Sequence, residues 1–201
     1  MTPQKRLFDL FTACVLSVIV LPVIAVIAVL ILLIDGGPVF HSGERMKTPT
    51  QGFRFYKFRT MRPDPNDSGV SGGDKADRIT RTGAFLRRTR LDELPQLFNL
   101  FRGDISAVGP RPPLRQYVER FPDVYAQVLR ARPGITGLAT VHFNRHEHWL
   151  LARSRSAAET DAIYCRACIP RKARLDLIYQ AHQGFCFDLV IILKTFVPSL
   201  R

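Results

Sequence analysis

A stretch of 25 residues without a charged side chain, residues 10–34, constrains this sequence more than any other feature. It is long enough to cross a hydrocarbon layer about 30 Å thick. A cleavable signal peptide fits poorly, because the apolar segment is too long and no small-x-small cleavage site follows it. The segment therefore predicts a membrane helix near the N-terminus, and the question is whether it crosses the bilayer or turns back.

Pro22 and the flanking charges favour turning back. The proline leaves about 12 apolar residues on each side, and each arm would reach only about 18 Å at 1.5 Å per residue. Lys5 and Arg6 precede the apolar run and a basic body follows it, so a simple crossing would leave one basic flank outside. A kinked single span is the alternative, because transmembrane helices tolerate proline. We predict a re-entrant helix-break-helix over residues 1–36 and a separate body over residues 37–201.

The body carries the whole net charge of +12, since the two basic and two acidic residues ahead of position 41 cancel. Such a basic body suits a polyanionic partner, which could be nucleic acid, an anionic lipid surface or a phosphorylated substrate. The four cysteines form no disulfide-dense pattern, which favours a reducing, cytoplasmic setting. A zinc site is a weaker alternative, and its ligands would be Cys165, Cys168, His182 and Cys186.

The remaining periodicity predicts an α+β fold that is mostly helical. Residues 53–60 partly alternate and are rich in aromatics, which predicts a strand carrying Lys57 and Arg59 on one face. The polar residues 62–77 predict a mobile loop. Helical patterns cover residues 121–132 and 149–183, the second interrupted at Ile169-Pro170, and the tail 185–200 could lie on a membrane surface. A Rossmann fold is not expected, because no Gly-x-Gly-x-x-Gly follows a strand.

Two adjacent carboxylates, Asp92 and Glu93, stand just ahead of Pro95 and follow three arginines in five residues. The proline fits only in the first turn of a helix, so we predict a helix that begins near Asp92 and places both acids at its positive end. Its buried side would be formed by the apolar residues at helical spacing, Leu94, Leu97, Phe98 and Phe101. Ordinary first-turn acids are the alternative reading of the pair.

Two tight loops, residues 103–113 and 132–137, combine glycines, prolines and arginines. Three prolines in four residues fix the backbone around Arg111. Glycines beside arginines suit a phosphate, because bare backbone N–H groups can approach its oxygens. Each loop alone is weak support for a phosphate site.

Taken in order, these motifs resemble the monotopic phosphoglycosyl transferases, a family of bacterial sugar transferases. The resemblance covers nearly the whole chain and is weakest over residues 146–170. The matching segments are the apolar hairpin, YKFRTM at 56–61, LDELPQLFN at 91–99, GDISAVGPRP at 103–112, RPGITG at 132–137, and LDLIY at 175–179 followed by Asp188-Leu189.

The resemblance implies transfer of sugar-1-phosphate from a UDP-sugar to a membrane polyprenol (undecaprenyl) phosphate. UMP is released, and the product initiates glycan assembly, for example of exopolysaccharide, O-antigen, capsule or glycoprotein glycan. It further implies Asp92 as a nucleophile that forms a phosphosugar-aspartyl intermediate, and Glu93 as a proton-handling or metal-binding neighbour. Mg²⁺ would be the cofactor, with Asp92 and Glu93 as its ligands. The implied substrate-binding residues are Lys57, Arg59, Arg87, Arg111, Arg132, Arg145, Asp176 and Tyr179.

The resemblance also implies a monotopic enzyme on the cytoplasmic face of a bacterial inner membrane, in contact with lipid and not with nucleic acid. A homodimer is left open. The sequence departs from the family where Leu21, and not serine, precedes Pro22, and where residues 138–145 differ, which suggests a different sugar pocket. The rival reading is a membrane-tethered basic binding or scaffold protein without catalysis. That reading explains the charge but leaves the Asp-Glu pair and the Pro-Arg-Pro turn without a role.

Overall fold

Nine α-helices and four short β-strands form the part of the chain that the computed structural model describes, residues 2–65, 67 and 69–196. The helices are α1 (Pro3–Ile34), α2 (Arg81–Thr89), α3 (Gln96–Arg102), α4 (Arg115–Arg120), α5 (Pro122–Val128), α6 (Leu138–Leu151), α7 (Ala157–Ile163), α8 (Ile169–His182) and α9 (Phe185–Phe196). The strands are β1 (Phe40–Met46), β2 (Gly52–Phe58), β3 (Ser106–Val108) and β4 (Gly134–Thr136). The predicted mostly helical fold with a small sheet is confirmed. The strands pair as an antiparallel hairpin, β1–β2, and a parallel pair, β3–β4, and not as a Rossmann-like sheet.

Helix α1 is continuous over 32 residues, and Pro22 lies inside it. This differs from the predicted helix-break-helix, because helical structure continues through Leu21 and Pro22. A proline removes only one intrahelical hydrogen bond, which a long apolar helix can tolerate. The hydroxyl of Ser17 donates to the Cys14 carbonyl (2.7 Å) and so does not serve the carbonyl that the proline frees. By length and composition alone, α1 could cross a membrane, with a mean hydropathy of 3.3 over its most apolar 18 residues.

One face of α1 packs along the body of the protein. Ala13 belongs to a core cluster with Phe53, and Ile31 belongs to another with Phe58. Phe53 and Phe58 are five residues apart, about 16 Å along a strand, and Ala13 and Ile31 are 18 residues apart, about 27 Å along the helix, so the two clusters together contact most of the length of α1. The buried positions recur at helical spacing, and they are Asp9, Ala13, Ile24, Ile27 and Ile31.

The charged first turns of α1 are docked into the protein through side-chain hydrogen bonds. The Lys5 ammonium donates to Asp188 Oδ2 (2.5 Å) and to the Tyr179 hydroxyl (3.1 Å). Arg6 donates to two carbonyls at the end of α3, at 2.8 and 2.7 Å. Asp9 is fully buried and accepts from the Ser106 hydroxyl and from a backbone N–H of β3, both at 3.0 Å. The start of α1 is therefore an integral part of the body.

The C-terminal end of α1 is held by a second polar contact. Arg59, which directly follows β2, donates through Nη2 to the carbonyls of Asp35 (2.9 Å) and Gly36. The Thr80 hydroxyl donates to the Asp35 carboxylate (2.9 Å) and accepts from the Gly83 N–H (2.9 Å), which caps α2. One network thus joins the end of α1, the end of β2 and the start of α2.

The two glycine-containing loops pack against each other, backbone to backbone. A Cβ on Gly109 would lie 2.1 Å from the Arg132 carbonyl oxygen, and a Cβ on Gly134 would lie 2.2 Å from the Gly109 nitrogen. The Gly109 N–H donates to the Thr136 carbonyl and the Gly134 N–H to the Pro110 carbonyl, both at 2.8 Å. The expectation that these N–H groups face a phosphate is therefore wrong. The glycines permit a close crossing that fixes the turn around Arg111.

Several helix boundaries differ from the sequence expectations. Pro170 lies in the first turn of α8, where its missing N–H is harmless, and α7 runs into α8 through a π-helix, Tyr164–Cys168. The interruption falls instead at residues 152–156, after α6. The helix predicted over 121–132 ends at Val128. Helix α9 covers the described part of the predicted tail, and residues 197–200 lie outside the described residues.

The predicted loop 62–77 is partly ordered. A 3-10 helix, Gly73–Arg78, ends it, and Met61 bridges to Ile79 in an antiparallel pair. Lys75 and Arg78 form ion pairs with Asp67, at 2.7 and 3.1 Å. These contacts join the first half of the segment to its second half, just before α2 begins.

We expect Lys5→Met to lower the free energy of unfolding by about 3 kcal/mol, because it leaves the Asp188 carboxylate buried without its cation. Thermal unfolding in detergent would measure the change. Arg102→Met is the matched control, since its ion pair with Asp104 is 3.6 Å long and 67% of the Arg102 side chain is exposed. Adding Asp188→Asn to Lys5→Met should recover part of the loss. Equal stability of Lys5→Met and the control would contradict the anchoring role.

Candidate active site

The Asp-Glu pair lies in a tight turn between two helices. Helix α2 ends at Thr89, and the residue after it, Arg90, has a left-handed φ of 59°, which is uncommon outside glycine. A 3-10 turn, Leu91–Glu93, then carries Asp92 and Glu93. Helix α3 begins only at Gln96, so the predicted helix start near Asp92 is wrong, and the dipole argument for the two acids falls with it. Left-handed backbone at a non-glycine residue costs on the order of 1 kcal/mol and is concentrated at functional sites.

The apolar side chains around the turn meet only part of the sequence expectation. Leu97 is buried, and Leu94 packs on the core cluster that contains Leu86. Phe98 and Phe101, predicted to be buried, are 45% and 37% exposed. The three-residue turn before α3 changes the phase of the helix, so other positions of α3 face inward.

The two carboxylates have different surroundings. Asp92 is 9% exposed. Glu93 forms an ion pair with Arg111, whose Nη2 lies 2.6 Å from Oε1, and its other oxygen is 3.9 Å from Arg90 Nη1. Glu93 is therefore held by two guanidinium groups, which leaves Asp92 as the acid free of a described ion pair.

These surroundings move the two pKa values in opposite directions. Burial, followed by the charge of Glu93, raises the pKa of Asp92, against the opposing effect of Lys57, Arg111 and Arg87. Burial also opposes ionisation of Glu93, but the charge and hydrogen bond of Arg111 outweigh it and lower the pKa of Glu93. Adjacent carboxylates with divergent pKa values are typical of groups with separate chemical roles.

Cations crowd the same site. Burial, then repulsion from Arg87 and Arg45, lowers the pKa of Lys57 to about 8. Burial lowers the pKa of Arg87, although Asp92 partly opposes the shift, and Arg87 Nε donates to the Thr60 hydroxyl (2.8 Å). The predicted positions of Lys57, Arg87 and Arg111 around the Asp-Glu pair therefore agree with the electrostatic coupling of these groups in the fold.

Arg45 is a site cation that the sequence reasoning missed. In the β1–β2 hairpin Arg45 pairs with Phe53 and His41 pairs with Lys57, so all four lie on one face by strand alternation. Burial, then repulsion from Arg111, lowers the pKa of Arg45 to about 10. The signal was available in the alternation of residues 40–46, but only once that segment was paired with β2.

The balance of charge makes the site a receptor for anions. Four cations, Lys57, Arg87, Arg90 and Arg111, are coupled to the two carboxylates, and a fifth, Arg45, is coupled to Lys57 and Arg111. Like charges held together in a partly dehydrated site repel, so an anion that enters gains energy from several cations at once. Polyphosphate groups have the required charge density.

Helix α6 reaches the same cations through Glu147 and His148. Glu147, after Glu93, contributes to the raised pKa of Arg111. Burial lowers the pKa of His148, and Arg90, Arg87 and Arg111 lower it further. His148 is exposed on α6, and the charges of these arginines reach it there.

Several residues predicted to bind substrate have other contacts. Arg59 holds the end of α1, Arg132 donates to the Gly103 carbonyl, and Tyr179 donates to Asp188 Oδ1 (2.8 Å) and to the Val108 carbonyl (3.0 Å). These three contacts are structural, because the partners belong to the scaffold. Arg145 is exposed on α6, with no described hydrogen bond or ion pair to the Asp-Glu turn.

Asp176 is buried on α8, one turn after Lys172, and 6% exposed. Its Oδ1 has no hydrogen-bond partner in the described structure. Burial raises its pKa to about 7, against the attraction of Lys172 and with the repulsion of Glu147. Asp176 thus lies near the ion pair between Lys172 of α8 and Glu147 of α6. Its predicted role in substrate binding stays a prediction.

The donor set at the Asp-Glu turn fits Mg²⁺. This ion prefers hard oxygen ligands and is commonly held by one or two carboxylates, with water and substrate phosphates completing the shell. The repulsion by Glu93 that raises the pKa of Asp92 would be relieved by a divalent cation. Within the described residues no group of three or more His, Cys, Asp or Glu side chains could hold a metal. Substrate and water would therefore have to supply the other ligands.

The cysteines of the alternative zinc site have different surroundings. Cys165 and Cys168 are buried in the core cluster around Tyr117, and Cys186 is exposed on α9. His182 Nδ1 lies 2.9 Å from the Ile178 carbonyl. The two buried cysteines pack as small apolar side chains.

Comparison with known proteins identifies relatives along the whole chain. A family model described as bacterial sugar transferase matches residues 1–201. A Bacillus subtilis protein, provisionally named an undecaprenyl-phosphate N-acetylgalactosaminyl 1-phosphate transferase, is 46% identical over 58% of this chain and 66% of its own length.

Two relatives are named UDP-glucose:undecaprenyl-phosphate glucose-1-phosphate transferases. The Caulobacter vibrioides protein is 40% identical over 98% of this chain and 69% of its own length. The Klebsiella pneumoniae protein is 36% identical over 81% of this chain but only 36% of its own length. The chain thus spans about a third of the Klebsiella relative and about two thirds of the other two.

The buried Asp176 carboxyl makes stability depend on pH. Its folded pKa of about 7 exceeds its ordinary value of 3.8, so the folded state binds the proton more tightly and stability falls as pH rises from about 4 to 7. Asp176→Asn should therefore be more stable than wild type at pH 8, by at most about 4 kcal/mol, and should lose that advantage near pH 4. Thermal unfolding at both pH values measures this. A difference in melting temperature that does not change with pH would contradict the assignment.

Proposed function

The chain belongs to the bacterial sugar transferase family, and on that premise we propose that it transfers sugar-1-phosphate from a UDP-sugar to undecaprenyl phosphate, releasing UMP. The product would be a lipid-linked diphosphate sugar on which a glycan is built. The names of the Caulobacter and Klebsiella relatives describe the same transfer of glucose-1-phosphate. The observation that carries the proposal is the Asp-Glu turn enclosed by five cations.

Asp92 is the nucleophile of the proposed reaction. A carboxylate oxygen of Asp92 attacks the β-phosphorus of the donor, and an Asp–O–P bond forms. The bond between the β-phosphorus and the bridging oxygen breaks, and UMP leaves with that oxygen and its electron pair. A phosphate oxygen of the acceptor then attacks the same phosphorus, and the Asp–O–P bond breaks to restore the carboxylate. No net proton transfer is needed, because the negative charge of the reactants equals that of the products.

The divergent environments of the two acids support this division of roles. One oxygen of Glu93, Oε1, is bound by Arg111 at 2.6 Å, which makes Glu93 less available as a nucleophile than Asp92. Asp92 has a raised pKa, which makes its carboxylate the better electron donor of the two. Glu93 instead positions Arg111, and the two together form one wall of the site.

The cations overcome the repulsion between a carboxylate nucleophile and a diphosphate. Lys57, Arg87 and Arg111 are electrostatically coupled to Asp92, and Arg45 is coupled to Lys57 and Arg111. Positive groups that are fixed before the reaction stabilise charge that develops on the transferred phosphoryl group and on the leaving phosphate. Mg²⁺, held by Asp92 and Glu93, would add Lewis-acid stabilisation of phosphate charge when bound.

The exposed apolar surface supports a position at a membrane, where the lipid acceptor resides. The exposed face of α1 includes Leu7, Val18 and Leu33, at 71%, 75% and 78%. Phe185 of α9, 63% exposed, packs its ring 5.1 Å from Phe8 of α1, so the two apolar surfaces are continuous. The basic body follows, and we place it on the cytoplasmic face of the bacterial inner membrane.

Helix α1 bears on how the protein sits in that membrane. Its polar first turns and its last turn are both bound to the same body, through Asp9 and Asp35. If α1 crossed the bilayer perpendicular to its plane, its two ends would lie on opposite sides of the membrane. Both ends are bound to the same body, which argues against such a crossing. This supports the monotopic arrangement, with α1 entering one leaflet, as part of the proposal.

We expect Asp92→Asn to reduce UMP release at least about 1,000-fold, because the amide cannot form the covalent intermediate. UMP release would be measured with Mg²⁺, undecaprenyl phosphate and a panel of UDP-sugars. Asp123→Asn is the matched control, since Asp123 is exposed on α5. Without acceptor, wild type should release up to one UMP per protein and retain labelled sugar phosphate after denaturation.

Activity of Asp92→Asn with no labelled wild-type adduct would refute the covalent mechanism. Failure of every donor would refute the transferase proposal. Tight binding of anionic liposomes or nucleic acid, unaffected by Asp92→Asn, would then favour the tethered binding protein.

The contacts separate the predicted basic residues into two groups. Lys57→Met and Arg111→Met should lower kcat/KM about 10- to 100-fold, because each removes a charge from the anion site. Arg59→Gln and Arg132→Gln should instead lower stability by about 1–3 kcal/mol, because they remove charged hydrogen bonds to scaffold carbonyls. Steady-state kinetics and thermal unfolding of all four variants test the division.

Lys57→Met should also raise the melting temperature at pH 7, since burial disfavours the charged form of Lys57. The folded pKa of about 8 lies below the ordinary 10.5, so wild type gains stability as pH rises between these values and the advantage of the variant shrinks. A kinetic defect in Arg59→Gln as large as that of Lys57→Met, at unchanged stability, would return Arg59 to the phosphate site.

A further inference from the structure

A second polar cluster lies between α6 and the π-helix and α8, and the proposed chemistry gives it no task. The Lys172 ammonium donates to Glu147 Oε1 (2.9 Å) and to the Tyr164 hydroxyl (3.3 Å). The same nitrogen lies 5.1 Å from the centroid of the Tyr164 ring. These three side chains form a compact carboxylate, ammonium and phenol group.

The cluster adjoins the anion site. Arg111 is attracted by Glu147 as well as by Glu93, so it stands within the field of both carboxylates. Tyr164 is coupled to Arg111 and to Arg45. Its ring also packs 4.8 Å from Tyr117, which belongs to the same core cluster as Met46, the neighbour of Arg45 on β1. The cluster of Glu147, Tyr164 and Lys172 therefore lies next to the group of cations.

Glu147 and Lys172 are only partly buried, so a ligand can still reach them. The Lys172 and Glu147 side chains are 14% and 18% exposed, so they have lost most of their hydration but are not sealed. A partly dehydrated ion pair gains little net stability, because desolvation offsets attraction. Tyr164 is 6% exposed and its ring is held by Tyr117, which fixes one side of the cluster. Such groups are ordered before a ligand arrives.

The chemistry of the cluster matches a hexose. A carboxylate accepts hydrogen bonds from hydroxyl groups, an ammonium donates to them, and a phenol does both. In the donor the hexose is bonded to the β-phosphate, which must reach Asp92 while the cations hold its oxygens. The hexose would then lie beside the group of cations, on the side of Arg111 that is attracted by Glu147.

We propose that Glu147 and Lys172, supported by Tyr164, form the subsite that binds the hydroxyl groups of the donor hexose and select among donors. This inference rests on the proposed transferase function and deepens it.

The competing role is a clamp that only ties α6 to α8. A clamp would affect stability and all donors alike, whereas a hexose subsite affects the ratio between donors. When a variant removes the protein group that binds one sugar hydroxyl, that hydroxyl is left unpaired in the site. The epimer that presents the hydroxyl there therefore loses more binding free energy than the other epimer. The ratio of kcat/KM values is therefore the diagnostic measurement.

The experiment uses the full-length protein with UDP-glucose, UDP-galactose and their N-acetylated forms. Glu147→Gln and Lys172→Met should change the kcat/KM ratio of the best donor to its epimer at least tenfold. Inhibition by UDP, which has no hexose, should stay within twofold of wild type. Glu119→Gln is the matched control, because Glu119 is 65% exposed on α4 in a 3.8 Å ion pair. A second readout is inhibition by hexose-1-phosphate, which the two variants should weaken.

Three results would overturn the subsite. An unchanged donor ratio in both variants, with active wild type, refutes it while leaving the transferase function intact. An equal loss for all donors with a lower melting temperature shows that the pair is a clamp. Inhibition by UDP weakened as much as donor turnover places the pair on the nucleotide side. The wild type is assayed before the variants, because its failure to release UMP from any donor would refute the transferase function itself.

Discussion

The structure depends on how a helix with 25 uncharged residues is attached to a body of charge +12. Lipid can hold the apolar face of α1, but it cannot hold Asp9, which is fully buried and whose Oδ1 accepts two hydrogen bonds from β3. Nor does lipid bind the last turn, where Arg59 reaches the Asp35 carbonyl. The polar ends therefore fix the helix to the body, and the apolar middle remains available to a membrane. The Asp-Glu turn is thereby held at a defined position relative to the apolar face of α1.

The same scaffold separates the residues predicted to bind substrate into two groups, those that bind other elements of the fold and those that face the Asp-Glu pair. Arg59, Arg132 and Tyr179 bind backbone carbonyls or the Asp188 carboxylate, and each such contact joins two elements. Lys57 and Arg111 face carboxylates that lie on a tight turn. The repulsion among these cations must be offset by contacts elsewhere in the fold, and the Gly109–Gly134 crossing and the buried start of α1 are two such contacts.

The sequence interpretation could name side chains whose surroundings are set locally, and it missed those whose partners are distant in the chain. The Asp92-Glu93 pair and Lys57 could be named from motifs, because the chain itself places them beside a turn and in a strand. Arg45 could not, since its role appears only when β1 pairs with β2. Arg59 and Lys57 are two residues apart on one strand pattern, yet Arg59 lies just past the end of β2 and binds the end of α1.

The sequence by itself determined the apolar helix, the basic body, the family and the Asp-Glu pair, because composition, run length and ordered motifs are properties of the chain. Only the tertiary structure decided that α1 stays helical through Pro22, that the glycine loops pack on each other, and that Glu147, which attracts Arg111, pairs with Lys172. These outcomes rest on contacts between segments far apart in the chain. Such contacts are selected by packing and by desolvation of charge, which no local pattern of residues encodes.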